Sequence, residues 1–193
     1  MDHRFYSGIG SRKTPREILN VMYAFGAELA SSGWILRSGR APGADRAFEH
    51  GCSLTRGDKR IYVPYRGSHG VQEESLPQVQ ILCTPEALKM AEQYHPNWNA
   101  CSIYAKQYHG RNCHIMLGKD LNYPVQFVLC WTEGGLGQGG TGQALRIARA
   151  NKIPIYDMGH DPEGIIAHAI TLKNLESLRK YVRHVIENVY QLI

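Results

Sequence analysis

The segment Val125-Gln-Phe-Val-Leu-Cys-Trp131 runs into Gly134-Gly-Leu-Gly-Gln-Gly-Gly-Thr-Gly142 and then into Gln143-Ala-Leu-Arg-Ile-Ala-Arg-Ala150. An apolar run of strand length, a glycine-rich turn and a helical pattern follow one another. That order sets a helix N-terminus at the mouth of a sheet. Unpaired backbone N–H groups and the positive end of the helix dipole there stabilise an anion such as phosphate. Six glycines in nine residues exceed what a tight turn needs, and a side chain would hold the backbone away from a ligand. Gly139, Gly140, Thr141 and Gly142 are the first candidates for phosphate contact, with the Thr141 hydroxyl as an added donor.

The same alternation extends outward in both directions. Phe5–Gly10 reads as a first strand, Trp34–Ser38 as a second, Arg60–Pro64 as a third and Ile153–Asp157 as a last one. Thr14 as N-cap and Pro15 at the first helical position open a helix that ends near Ser32-Gly33. A second helix follows Asp45 and runs to about Leu54; others span Pro85–Tyr94, Cys101–Leu117 and Thr141–Asn151. Tyr65 to Val79 reads as a loop or flap. Strands alternating with helices predict an α/β, Rossmann-like, doubly wound and mainly parallel sheet with helices on both faces. Ligands of such sheets sit at the carboxyl ends of the strands. Leu172, Leu175, Leu178, Val182, Val185, Val189 and Leu192 step by three and four and predict a C-terminal amphipathic helix. Two units are expected: a domain over 1–160 and a helical extension over 161–193, which packs on that domain or forms an oligomer interface.

Bulk properties narrow the class of partner. The chain has 193 residues, 43% hydrophobic and 20% charged, the proportions of an ordinary globular protein. A net charge of +5 favours an anionic partner. The charge is spread over Arg12, Lys13, Arg16, Arg37, Arg40 and Arg46, so it suits nucleotides and nucleic acid alike. Five cysteines with no C-x-x-C pair read as reduced thiols in a cytoplasmic protein. The N-terminus has no apolar signal segment, and no apolar run reaches membrane-spanning length, so no membrane partner is expected. Cys101, His109, Cys113 and His114 have the spacing C-x7-H-x3-C-H, which fits no common zinc pattern. Packing roles are favoured for them, and neither a metal nor a cofactor is expected. Tyr104 and Tyr108 share a helix face, for which core packing is the safer reading.

Two further loops complete the candidate site. Gly8, Gly10, Ser11 and Arg12 form one wall, in which Arg12 can pair with phosphate in a bidentate way. Ser38, Gly39, Gly43 and Asp45 form the other; Asp45 either accepts hydrogen bonds from a ribose or base or caps the helix after it. Arg111 can approach a phosphate and Asn112 a base or backbone group. Glu133, directly after the apolar strand, is a candidate general acid or base, with loop solvation as the competing role.

Gly8-Ile-Gly-Ser-Arg12, Ser38-Gly-Arg-Ala-Pro-Gly-Ala-Asp45, Arg111-Asn112 and Gly139-Gly-Thr-Gly142 occur in that order. The chain thereby resembles the SLOG superfamily of Rossmann-like domains, which includes DNA-processing protein A (DprA/Smf) and the Lonely Guy (LOG) nucleotide hydrolases. It looks most like the DprA branch, whose Ser-Gly-x-Ala-x-Gly-x-Asp turn and Arg-Asn pair are matched by Ser38–Asp45 and by Arg111-Asn112. The resemblance covers residues 4 to 158. It implies binding of a nucleotide, a nucleotide-derived ligand or single-stranded DNA; a homo-oligomer is expected from the C-terminal helix. The alternative it implies is a LOG-like nucleoside 5'-monophosphate N-glycosidase or phosphoribohydrolase, with Arg111 and Glu133 catalytic. Ala144 stands where LOG enzymes carry their catalytic glutamate.

Overall fold

The structure is a computed structural model and describes residues 4–161 and 163–191. Six strands form one sheet: β1 (Phe5–Gly8), β2 (Ile35–Ser38), β3 (Lys59–Val63), β4 (Val79–Ile81), β5 (Phe127–Cys130) and β6 (Ile155–Asp157). Their spatial order is β4-β3-β2-β1-β5-β6, and every pair is parallel. The central strands β1, β2 and β5 are buried at every position, as a sheet covered on both faces requires. β4 was not legible in the sequence, because three residues carry no periodicity.

Alternate side chains divide between two cores. On one face Tyr6, Leu36, Phe127 and Leu129 pack with Phe25 of α1 (Arg16–Ser31) and Phe48 of α2 (Ala44–Leu54). On the other, Phe5, Ile35, Val128 and Cys130 meet α3 (Pro85–Gln93), α4 (Ile103–Leu117) and α5 (Gly139–Ala150) through Ala87, Met116 and Leu145. The fold is thus the Rossmann-like α/β arrangement expected. The start of α1 differs: Pro15 holds the N-cap position, and the Thr14 hydroxyl donates to the Ser11 carbonyl at 2.7 Å. No side chain caps this helix.

The chain closes with a short helix α6 (Ile165–Ala169) and with α7 (Leu175–His184), which continues into a wider turn over Val185–Val189. Leu178, Val182, Val185 and Ile186 are buried in the core shared with α1. The carboxylate of Glu28 on α1 is buried and meets both Arg179 and Arg183 of α7, the latter at 2.7 Å. Of the expected apolar stripe, Leu175 is substantially exposed and Leu192 lies outside the described residues. Among the described residues no helix is long and apolar enough to cross a membrane.

Candidate functional site

The strand order reverses at β1: β2 lies on one side of it and β5 on the other. In open parallel sheets the crevice at such a switch point is where ligands sit. The loops after β1, β2 and β5 meet there, and the first two are tied together from within. Asp45, 4% exposed, accepts from the amides of Gly10 (3.2 Å), Gly39 (3.2 Å) and Ala41 (3.4 Å). It lies in the first turn of α2 behind Gly43, which holds the N-cap position at φ +88°. Asp45 therefore joins two loops and does not take the N-cap position proposed for it. Burial pushes its carboxyl up to about 6, against the opposing pull of Arg111 and the three amides. The Ser38 hydroxyl donates to the Gly8 carbonyl at 2.6 Å, tying β2 to β1.

Arg111 stands behind these loops, buried on α4. Its Nη1 donates to the carbonyls of Gly39 (2.6 Å) and Tyr62 (3.0 Å). A Cβ on Gly39 would fall 1.7 Å from that nitrogen, so glycine is required by protein packing. The same holds at Gly8, where a Cβ would meet the Phe48 ring at 2.5 Å, and at Gly10, where it would meet the Ala44 Cβ at 2.6 Å. Asn112 donates to the Gly140 carbonyl (3.3 Å) and to Gln143 Oε1 (3.0 Å), and so fixes the start of α5 against α4.

The β5–α5 loop is built differently. Gly134, Gly135, Gly137 and Gly139 all have positive φ. The loop hangs on Asp157 at the end of β6, which accepts from the Thr132 amide (2.9 Å) and hydroxyl and from the Gly159 amide (3.0 Å). The Thr132 hydroxyl also receives the Gly137 amide at 2.9 Å. Gly142 is held close, because a Cβ there would lie 1.8 Å from the Gly137 carbonyl. Gly139 and Gly140 have no atom within 4 Å of an added Cβ. Helix α5 has no side-chain cap, and its first backbone bond runs from the Gly142 amide to the Gln138 carbonyl at 3.0 Å. The amides of Gly139, Gly140 and Thr141 thus have no intrahelical acceptor, and two of them belong to residues facing open space.

Cations gather around the β1 and β2 loops. Arg12 and Arg46 are exposed, and among the described residues neither is in a salt bridge, whereas Arg40 is paired with Glu49. His69, in the flap after β3, registers this field. Burial first, and then the charges of Arg111, Arg46, Arg12 and Arg40, bring its imidazole down to about 4. Sequence reasoning passed over His69; a lone histidine in a polar loop carries no signal. Ser11 sits at the turn of the β1 loop, where its hydroxyl accepts from the Lys13 amide at 3.0 Å. Glu133 is exposed on the β5 loop, while Arg111 lies buried beneath the β2 loop.

The residues around α4 also depart from expectation. Tyr104 is 61% exposed, so it does not pack in the core; it lies against Tyr65 of the flap, as does Tyr108. Cys113 and His114 are buried and separate from Cys101. The Cys113 thiol donates to the Ala87 carbonyl, and the His114 ring receives the Thr84 amide. Cys101 and His109 do come together, with His95 as a third member.

Comparison with solved structures agrees with this architecture. The chain has the fold of the molybdenum cofactor carrier proteins. It superposes on the Moco carrier protein of Chlamydomonas rheinhardtii with a TM-score of 0.52 at 13% identity, over 96% of this chain and 99% of that one. The molybdenum cofactor binding protein of Rippkaea orientalis gives 0.50 at 14% identity, over 96% and 99%. No protein-family model and no curated protein sequence matches the chain. Identities this low establish a shared Rossmann-like fold, and the site must be argued from its own residues.

Proposed function

We propose that this chain binds a small phosphorylated, nucleotide-like ligand in the crevice between the β1 and β5 loops. The observation that carries this reading is the start of α5: an uncapped helix with Gly139 and Gly140 open to solvent. The amides of Gly139, Gly140 and Thr141 would hold the phosphate. Arg12 and Ser11 would reach it from the β1 loop. Ser38, Gly39, Gly43, Asp45, Arg111 and Asn112 would act from behind by holding the loops in register. The neighbouring structures are named for the molybdenum cofactor they carry or bind. That cofactor is the first ligand to test.

A DprA-like role in binding single-stranded DNA draws on the same positive rim but asks for several phosphates. Binding to a single strand weakens with salt at a log–log slope of about −0.7 per neutralised phosphate. The discriminating experiment is a calorimetric titration with AMP, with the molybdenum cofactor and with oligothymidylate over a range of salt. Saturable 1:1 binding of a monophosphate with a shallow slope supports the proposal. Binding of oligonucleotide alone, with a steep slope, would replace it with the DNA reading. The hydrolase alternative needs a carboxylate free to act beside Arg111. Asp45 is near that arginine but is buried and accepts three backbone amides, Arg111 itself is committed to two backbone carbonyls, and Glu133 lies exposed on another loop, so binding is favoured over cleavage. Release of free base from AMP, abolished in Glu133→Gln, would reverse that preference.

A further inference from the structure

We propose that His95, Cys101 and His109 form a binding site for one zinc ion, separate from the phosphate crevice. His95 and Cys101 lie on the connection between α3 and α4, and His109 lies one to two turns into α4. Their ligand atoms all lie within 4.8 Å of one another. Cys101 Sγ is 3.6 Å from His95 Nε2, and the imidazole centroids of His95 and His109 are 4.5 Å apart. For zinc bonds of about 2.0 Å to nitrogen and 2.3 Å to sulfur, tetrahedral neighbours stand about 3.3–3.8 Å apart. The His95–Cys101 separation already meets that requirement, and His109 needs only a small side-chain adjustment.

The surroundings of the three groups suit a metal. Trp98 packs at 6.0 Å and 6.3 Å from the two imidazole centroids and walls the cluster. All three ligands are half-buried, so an ion can enter. Two nitrogens and one sulfur suit zinc, a borderline-soft ion, and leave a fourth position for water. Coordination through His95 Nε2 puts that ring's proton on Nδ1 and so displaces the 3.2 Å bond that Nδ1 accepts from the Asn97 amide. The Cys101 thiol gives up its proton to solvent as the sulfur–metal bond forms.

The test uses the full chain, stripped with a chelator and titrated with Zn²⁺ against a chromophoric competitor, then with Co²⁺ in an absorption spectrometer. One equivalent of zinc is expected, with a sulfur-to-cobalt charge-transfer band and movement of the Asn97 amide resonance. Cys101→Ser should abolish the band, and His95→Gln and His109→Gln should each weaken zinc binding at least tenfold. Cys83→Ser, outside the cluster, should change none of these. Far-ultraviolet circular dichroism of each variant separates lost metal from lost fold, and the Asn97 resonance in the unmutated chain reads the site without any substitution. No zinc uptake by the stripped chain, or a cobalt band that survives Cys101→Ser, would overturn the proposal.

Discussion

The loops after β1 and β2 and the loop after β5 are all rich in glycine, yet their glycines answer to different constraints. At Gly8, Gly10 and Gly39 an added Cβ would strike Phe48, Ala44 or Arg111. Those glycines let α2 and the Arg111 side chain approach the sheet, and Asp45 and Ser38 then tie the two loops together. At Gly139 and Gly140 an added Cβ would strike nothing, although the helix there begins without a cap. Glycine is explained by the protein in the first case. In the second, the left-handed backbone of Gly139 (φ +66°) still asks for glycine, whereas Gly140, with open space and no such angle, is not explained by the protein's own packing. The lesson is that a glycine-rich loop signals a ligand only where the space its missing side chains leave is open.

This contrast predicts opposite responses to substitution. The largest effect belongs to Arg111→Met, which strands the Gly39 and Tyr62 carbonyls and leaves the buried Asp45 without its nearby cation. A loss of about 3–6 kcal/mol in unfolding free energy is expected, from two hydrogen bonds to a charged donor at about 1.5–3 kcal/mol each; urea denaturation measures it. A loss below about 1 kcal/mol would mean that Arg111 is free to serve a ligand after all.

Next in size is a matched pair of alanine substitutions. Gly39→Ala forces the Arg111 guanidinium aside and should cost about 1–3 kcal/mol of stability, as overpacking does. Gly140→Ala sits in a helical first turn with open space around it. It should leave the fold intact or stabilise it by about 0.4–1 kcal/mol, while cutting affinity for a phosphate ligand about tenfold, or about 1.4 kcal/mol. Equal stability losses in the two variants would erase the distinction between the loops.

The smallest effect is a pH dependence in which two groups oppose each other. Asp45, raised to about 6, binds its proton more tightly folded than unfolded. Its contribution to stability therefore grows as pH falls through 6 and is complete below the unfolded value near 3.8. His69, lowered to about 4, behaves in the opposite sense. The stability of its neutral form is fully present above the unfolded value of 6.5 and is lost as pH falls toward 4. His69 is only partly buried, so solvent screening reduces its share. His69→Gln should then gain on the unmutated chain in urea midpoint between pH 7 and 4.5, and the gap should widen as pH drops. A gap independent of pH would show that burial and the arginines together do not hold His69 below its ordinary value.

The strand–turn–helix order around Val125–Ala150, the parallel sheet and the C-terminal helix were legible because each depends on local periodicity. β4 was not, being three residues long. The three loops were legible as neighbours, because a parallel sheet gathers its βα loops at one end. What each residue does there was less so. Arg111 and Asn112 were read as ligand contacts, and their commitment to the protein's own groups instead follows from the way α4 packs across the ends of β2 and β3, a long-range fact. The cluster of His95, Cys101 and His109 escaped for a related reason. His95 lies before the turn at Trp98, and only the fold of that connection brings it back to α4.

The most direct test of the account follows the backbone amides of Gly139, Gly140 and Thr141 by nuclear magnetic resonance during titration with AMP, with sodium chloride of equal ionic strength as control. Saturable downfield shifts at these three amides are predicted, together with a rise of the His69 imidazole above about 4 as the bound phosphate offsets its arginine neighbours. Amides that stay in place, or that move as much with chloride as with AMP, would contradict the claim that the open start of α5 exists to hold a phosphate.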